Sequence, residues 1–113
     1  SFFKYILKAK SGNDLSGDIY SSKYINKAKS GNDLSDDVVN KYVEDLKSYG
    51  SGEKAYQNLI NDIYSYKYQP EEMVFMLNWL KSGVLLHAED EELTAMDETI
   101  NTVNDSGTME LSN

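Results

Sequence analysis

A lone histidine is the residue of this chain with the clearest potential for catalysis. His87 lies three residues before Asp90, which could orient it as a general base. No nucleophile motif accompanies the pair: the two Ser-x-x-Lys matches, Ser1–Lys4 and Ser51–Lys54, lack the companion motifs of a Ser-Lys active site. We therefore expect a protein that is not an enzyme, and a hydrolase centred on His87 is the enzymatic alternative.

The acidic run Glu89–Glu92 has the composition of a cation site but not its spacing. A calcium loop needs alternating Asp or Asn ligands, a central glycine and a terminal Glu, and neither this run nor Ser11–Asp18 provides them. The sequence also has no glycine-rich phosphate loop, dinucleotide fingerprint or metal-spaced histidine pair. We expect no metal and no cofactor, and interpret the run as a solvated helix N-terminus, where the helix dipole stabilises carboxylates.

Tyrosine provides the better indication of function. The chain has nine tyrosines, three of which alternate in the segment IYSYKYQP. Tyrosine is frequent at protein–protein hot spots because its ring buries a large rigid area while its hydroxyl keeps a hydrogen bond. We predict a partner-binding surface made of these tyrosines and of acidic side chains: Tyr64, Tyr66, Tyr68, Glu89, Asp90, Glu91, Glu92, Asp97 and Glu98. In the alternative interpretation, Tyr64 covers the core while Tyr66 and Tyr68 pack on the connection to Pro70.

A tandem duplication opens the chain. Residues 4–18 and 23–37 are identical at 13 of 15 positions with an offset of 19, and a looser third copy begins at Lys41. A short copied unit is typical of a packing or surface element, whereas a catalytic centre needs unlike groups that converge. Duplicates also permit self-assembly, since the first copy could occupy the site of the second in a neighbouring molecule. A duplication without any function of its own is the other alternative.

Hydrophobic periodicity predicts a mainly α-helical protein, a small bundle of four or more helices. Ser35 is the expected N-cap of one helix, Gly50 its left-handed cap, and a second helix follows Gly52. Pro70 is expected to begin a third helix, which is apolar around most of its circumference and therefore central, and Ser82-Gly83 to end or kink it. A fourth helix is predicted from about Glu89 to Val103.

We expect a single helical domain over residues 1–103, comprising the duplicated segment 1–34 and a four-helix core 35–103, and then a flexible tail, 104–113. In the duplicated segment, Gly12 or Gly31 would cap a helix, and Ser16 or Ser35 would begin the next. The alternative is a β-hairpin of Phe2–Ala9 with Asp18–Ile25, because many of these residues favour strands.

Charge is distributed unevenly along the chain. Residues 1–69 carry ten lysines and nine acidic residues, whereas residues 70–113 carry one lysine and ten acidic residues. Direct nucleic-acid binding is disfavoured, because phosphate is recognised mainly by Lys and Arg and this chain has no arginine. An acidic half instead steers a protein towards a basic surface on another protein.

These features predict a non-enzymatic, acidic protein-binding module, cytoplasmic because no signal peptide or membrane span is found. By analogy of fold and charge, it would inhibit a nucleic-acid-handling enzyme stoichiometrically by occupying its basic groove, as phage-encoded anti-defence proteins do. The lysine-, asparagine- and tyrosine-rich composition is associated with a low-GC bacterium or its phage.

Two alternatives remain within the binding class. The stretch from Glu71 to Val103, with an apolar helix, a short loop and a helix with a narrow apolar stripe, resembles the C-terminal half of small four-helix bacteriocin immunity proteins. That resemblance implies a membrane-linked protective role, but the duplicated N-terminus departs from the pattern. The second alternative is a self-assembling structural protein, for example a homodimer formed through the duplicated segment.

Overall fold

The computed structural model describes residues 13–85 and 88–109. These residues form five α-helices and a π-helical turn: α1 Ser22–Lys29, α2 Asp36–Lys47, α3 Glu53–Tyr64, α4 Pro70–Trp79, the turn Leu80–Val84, and α5 Asp90–Ser106. The chain is mainly helical, and the described residues contain no strand. The predicted helical bundle is therefore confirmed.

Helix α4 occupies the centre of the bundle. It packs against α1, α2 and α5, and every residue from position 72 to position 80 is buried. Pro70 stands at its first turn, where a missing backbone N–H costs nothing. Helix α4 ends at Trp79, and the predicted Ser82-Gly83 interruption lies inside the π-helical turn.

Helices α2 and α3 begin where local capping chemistry predicts. The Ser35 hydroxyl accepts a hydrogen bond from the backbone N–H of Val38 at 3.3 Å. Gly50 has a φ of 81°, so the left-handed conformation expected after α2 is present. Helix α3 then follows Gly52 and buries the complete predicted stripe: Ala55, Tyr56, Leu59, Ile60 and Ile63.

The two copies of the duplication fold differently. In the second copy, Ser35 begins a helix, whereas the prediction that Ser16 would do the same is wrong, since α1 begins only at Ser22. Position 17 explains the difference, because Gly17 has a φ of 81° and stands where the second copy has Asp36, the first residue of α2. A left-handed residue cannot continue a right-handed helix.

The described part of the predicted hairpin is not extended. Residues 18–21 form turns and bends, and Ser22 onwards is helical, while Phe2–Ala9 and Gly12 lie outside the described residues. Helix α1 ends as expected for a repeat, since Ser30 and Gly31 both have a positive φ, of 48° and 77°.

The segment before α1 is tied to the core by Trp79. Its indole Nε1 donates a hydrogen bond to the carbonyl oxygen of Ile19 at 2.8 Å, and its ring stacks on Tyr20 with a centroid distance of 5.3 Å. Gly83 permits the approach of α1, because a Cβ there would lie only 3.4 Å from Cγ of Tyr24. These contacts fix the N-terminal segment against α4.

Helix α5 extends beyond its predicted end, and the predicted tail boundary at residue 104 is wrong. The helix continues to Ser106, and Gly107 closes it with a φ of 74° and a backbone N–H bond to the Val103 carbonyl at 2.9 Å. Met109 is buried as well. Residues 110–113 lie outside the described residues. Within the described ranges, no helix is both long and apolar enough to cross a membrane.

Candidate functional site

Helix α5 presents a row of carboxylates to solvent. The side of α5 that faces the core is apolar except for Thr99. The Thr99 hydroxyl is buried and donates a hydrogen bond to the Ala95 carbonyl at 2.9 Å. The outer side of α5 carries what we call the acidic face: Asp90, Glu91, Asp97, Glu98 and Asp105, all exposed. Residues seven apart lie nearly in line on an α-helix, about 10 Å from one another. The acidic face therefore forms an extended strip along the helix.

One carboxylate of the acidic face is neutralised internally. Lys81, the only lysine after residue 69, forms an ion pair and hydrogen bond with Asp97. Glu89 is exposed immediately before α5, whereas Glu92 is half-buried. Burial, together with the negative charge of Glu92, raises the pKa of Tyr56. Of the predicted acidic residues, the structure thus brings Asp90, Glu91, Asp97 and Glu98 onto one face and turns Glu92 partly away from it.

The three predicted tyrosines have three different environments. Tyr64 is half-buried, and burial raises the pKa of its phenol. Tyr68 is half-buried and shares a hydrogen bond with Tyr49. Tyr66 is the large hydrophobic side chain left exposed among the described residues, at 47%. Tyr66 is thus the most exposed of the three, and a binding role for all three tyrosines stays a prediction.

The Tyr66 side chain is hydrogen-bonded to the backbone just after α5. The backbone of Tyr66 is left-handed, with a φ of 58°, which breaks the chain direction after α3. Its hydroxyl accepts a hydrogen bond from the backbone N–H of Met109 at 3.2 Å. The exposed aromatic ring and the C-terminal end of α5 therefore belong to one surface, although the two segments are far apart in sequence.

A concave surface that the sequence did not predict lies at the same end of the bundle. We call it the end groove, and its volume is about 370 Å³. It is lined by the joint between α1 and α2, the start of α4 and the end of α5: Asn32, Asp33, Leu34, Pro70, Glu71, Val74, Val103 and Asn104. Gly107, which follows α5, lies near Pro70, since a Cβ at Gly107 would be in ordinary contact with Cγ of Pro70 at 3.5 Å.

A buried carboxyl pair joins α2 to α4, and it was also missed from the sequence. Glu72 is 5% exposed and shares a hydrogen bond with Asp45, while Lys41 Nζ lies 3.2 Å from Asp45 and 3.8 Å from Glu72. Burial, reinforced by Asp45, raises the pKa of Glu72 to about 8, and the hydrogen bond to Glu72 lowers the pKa of Asp45. Burial and the neighbouring Asp45 carboxylate therefore both favour the protonated form of Glu72.

A second polar cluster lies between α2, α3 and the loop before α4. The Tyr49 hydroxyl donates to Asp62 at 2.5 Å and also meets the Tyr68 hydroxyl. Burial, and then the bond to Asp62, raises the pKa of Tyr49. Lys67 lies 3.2 Å from the Asp62 carboxylate and above both tyrosine rings. Every group is engaged by its neighbours, so the cluster fixes the α3–α4 connection and presents no nucleophile.

The remaining candidates for chemistry find no support in the described residues. Ser51 and Lys54 are exposed around the start of α3, and His87 lies outside the described residues. Within residues 13–85 and 88–109, no three acidic or histidine side chains come together as a metal site.

Comparison with protein-family models, curated proteins and solved structures finds no match for this chain. Function must therefore be inferred from the geometry of the acidic face, Tyr66 and the end groove.

Proposed function

We propose that this protein acts by stoichiometric binding to another protein that has a basic surface, as an inhibitor of a nucleic-acid-handling enzyme. The acidic face carries the proposal. Asp97 is neutralised by Lys81, and the other four carboxylates span about 22 Å of helix, one per about 7 to 8 Å. One strand of duplex DNA carries one negative charge per about 3.4 Å of axis. The linear charge density of the acidic face is therefore about half that of a single DNA strand, the ligand that such an enzyme binds.

Tyr66 supports the proposal by adding an anchor beside the charges. Complementary charges mainly accelerate encounter and select the partner, whereas a buried aromatic ring contributes much of the affinity. Because the Tyr66 hydroxyl is bonded to the Met109 backbone, its ring is held in place before binding. A partner that covers the end of α5 would thus meet charge and an ordered ring together.

Nucleic acid itself is not the proposed ligand, because the acidic face would repel phosphate. A basic, cytoplasmic, nucleic-acid-binding enzyme is the complementary partner, and a phage anti-defence role would follow from inhibiting one. Bacteriocin immunity and self-assembly predict different partners, so identifying the bound protein distinguishes these three functions.

Affinity capture with matched charge variants tests the proposal. The face variant carries Asp90→Asn, Glu98→Gln and Asp105→Asn, and the control variant removes equal charge from exposed sites elsewhere through Asp18→Asn, Glu44→Gln and Glu53→Gln. Each immobilised protein is exposed to lysates of low-GC bacteria and eluted by a salt step. We expect wild type and the control to retain a basic nucleic-acid-binding enzyme that elutes as salt approaches about 1 M, where the screening length falls to about 3 Å.

The captured enzyme is then assayed with each protein. Wild type and the control should inhibit it at one-to-one stoichiometry, and the face variant should need at least about tenfold more protein. Equal inhibition by the face variant would contradict the role of the acidic face. Retention of a salt-resistant membrane protein would favour immunity, and retention of the chain by itself would favour self-assembly.

A further inference from the structure

The end groove has an apolar floor. Val74 and Val103 are 2% and 1% exposed, so their side chains belong to the core and only their outer edges reach the groove. Leu34 is half-buried and forms one wall. A volume of about 370 Å³ falls at the lower end of the range for small-ligand pockets, which suits one long side chain better than a larger molecule.

The rim of the end groove is acidic. Among the residues that the structure describes, Asp33 and Glu71 are the titratable residues that line it, and no lysine does. Neither carboxylate forms an ion pair with a lysine of the described residues. Glu71 is positioned by the Tyr42 hydroxyl, which donates to its Oε1 at 2.8 Å. Two exposed carboxylates, of which Glu71 is held by Tyr42, therefore line the same small volume, and neither forms an ion pair with a described lysine.

Two helix ends with opposite dipoles meet at the groove. The C-terminal end of α5 contributes partial negative charge, and it has no basic residue in its last turn. The N-terminal end of α4 contributes partial positive charge. The end of α1 and the start of α2 at the same groove are likewise opposite in sign, so the helix dipoles favour neither charge, and the Asp33 and Glu71 carboxylates favour a cation.

We propose that the end groove binds an arginine side chain supplied by the partner protein. The aliphatic stem would lie on the apolar floor, and the guanidinium would reach Asp33 and Glu71. Arginine fits better than lysine, because its planar fork can bond two acceptors at once and its weak hydration tolerates an apolar floor. A second copy of this chain cannot be the source, since the chain contains no arginine.

This inference deepens the proposed function and rests on it only for the source of the arginine. The groove can be tested without the partner by NMR titration of the full chain, using N-acetyl-L-arginine amide as the probe. We expect saturable shifts of the Leu34, Val74 and Val103 methyl signals at millimolar probe. N-acetyl-L-citrulline amide, which has the same shape without the charge, and N-acetyl-L-lysine amide should each bind at least about fivefold more weakly.

Isosteric variants locate the binding. Asp33→Asn combined with Glu71→Gln should weaken arginine binding at least about tenfold, because both charges are removed while the shape is kept. The matched control is Asp14→Asn with Glu53→Gln: Asp14 holds the position of Asp33 in the first copy, and Glu53 lies in the first turn of α3 as Glu71 does in α4. The control should bind as wild type does, and unchanged thermal midpoints would show that both variants fold.

Three results would overturn the inference: no shifts at the groove methyls, equal binding of arginine and citrulline probes, or equal binding by both variants. Lysine binding as tight as arginine would refute the guanidinium assignment. If the groove binds arginine but the wild-type protein inhibits no enzyme that it captures, this inference stands and the proposed function is rejected. If the wild-type protein inhibits the enzyme but the groove does not bind the arginine probe, the proposed function stands and this inference is rejected.

Discussion

Replacing Glu72 by glutamine should make the protein more stable, and increasingly so as the pH rises towards 8. Glu72 is buried between α2 and α4, where it shares a hydrogen bond with Asp45. Glutamine keeps the size of the side chain and can donate the same bond from its amide to the Asp45 carboxylate. The substitution therefore removes an ionisable group while leaving the packing in place.

The direction in which stability changes with pH follows from the proton affinity of Glu72 in the folded and unfolded states. The pKa of Glu72 is about 8 in the folded protein against an ordinary value of 4.5, so the folded state binds the proton more tightly than the unfolded state. Its contribution to stability is complete below pH 4.5 and is lost as the pH rises to about 8. The pKa of Asp45 is lowered, so its own contribution is lost only at more acidic pH and does not affect this window.

The size of the effect follows from the same two values. Each pH unit between them changes the free energy of unfolding by about 1.4 kcal/mol, which amounts to about 3 to 5 kcal/mol over the whole window. Relative to wild type, Glu72→Gln should therefore gain that amount between pH 4.5 and 8 and gain no more above pH 8.

Urea unfolding at each pH from 5 to 9 measures this difference, with the fluorescence of Trp79 as the signal, since Trp79 is the only tryptophan and is fully buried. The control is Glu44→Gln, which removes an exposed carboxylate from α2 by the same change of side chain. A difference between Glu72→Gln and wild type that does not change between pH 5 and 8 would refute the assignment of a protonated, buried Glu72.

Four further substitutions test the packing of the fold by chemical unfolding. Ser35→Ala should cost about 1 kcal/mol because Ser35 caps α2, whereas Ser16→Ala, at the equivalent position of the first copy, should cost less than about 0.5 kcal/mol because it caps no helix. Trp79→Phe should lower the free energy of unfolding by about 2 kcal/mol or more, because it leaves the Ile19 carbonyl without its indole donor and creates a void. Unfolding of this variant is followed by circular dichroism, since it lacks the tryptophan. Leu59→Ala should cost about 3 to 5 kcal/mol, because Leu59 is fully buried and its removal leaves a cavity. Similar costs for the two serine variants, or a loss below about 1 kcal/mol at Leu59, would contradict the described caps and core.

The helical core could be predicted because its signals are local. The apolar stripe of α3, the serine cap of α2 and the proline at the start of α4 each depend on residues within one or two turns. Each was found where the sequence placed it. The end of α5 was placed too early because residues 104–113 have the composition of a turn, whereas the helix continues to Ser106 and ends at the left-handed Gly107.

The missed features depend on tertiary packing. The burial of Glu72 was not predicted, because the sequence shows only an acidic residue in the first turn of a helix, a position that the helix dipole favours for a carboxylate. Other helices pack on most sides of α4, so the Glu72 side chain faces α2 and is buried. The Lys81–Asp97 ion pair and the end groove likewise require the relative placement of α4, the turn after it and α5, which no spacing in the sequence encodes.

The difference between Gly17 and Asp36 was visible in the sequence and explains the fate of the duplication. The same Asn-Asp-Leu-Ser motif puts Leu15 in the core, at 2% exposure, but Leu34 at the wall of the end groove. To replace the second copy in a neighbouring molecule, residues 13–18 would have to put glycine into the first turn of a helix, at a cost of about 1 kcal/mol, and forgo a carboxylate at the helix N-terminus, at about 0.5 kcal/mol. These costs oppose self-assembly by exchange of the two copies. In the first copy the motif contributes Leu15 to the core, whereas in the second copy it contributes Leu34 to the wall of the end groove.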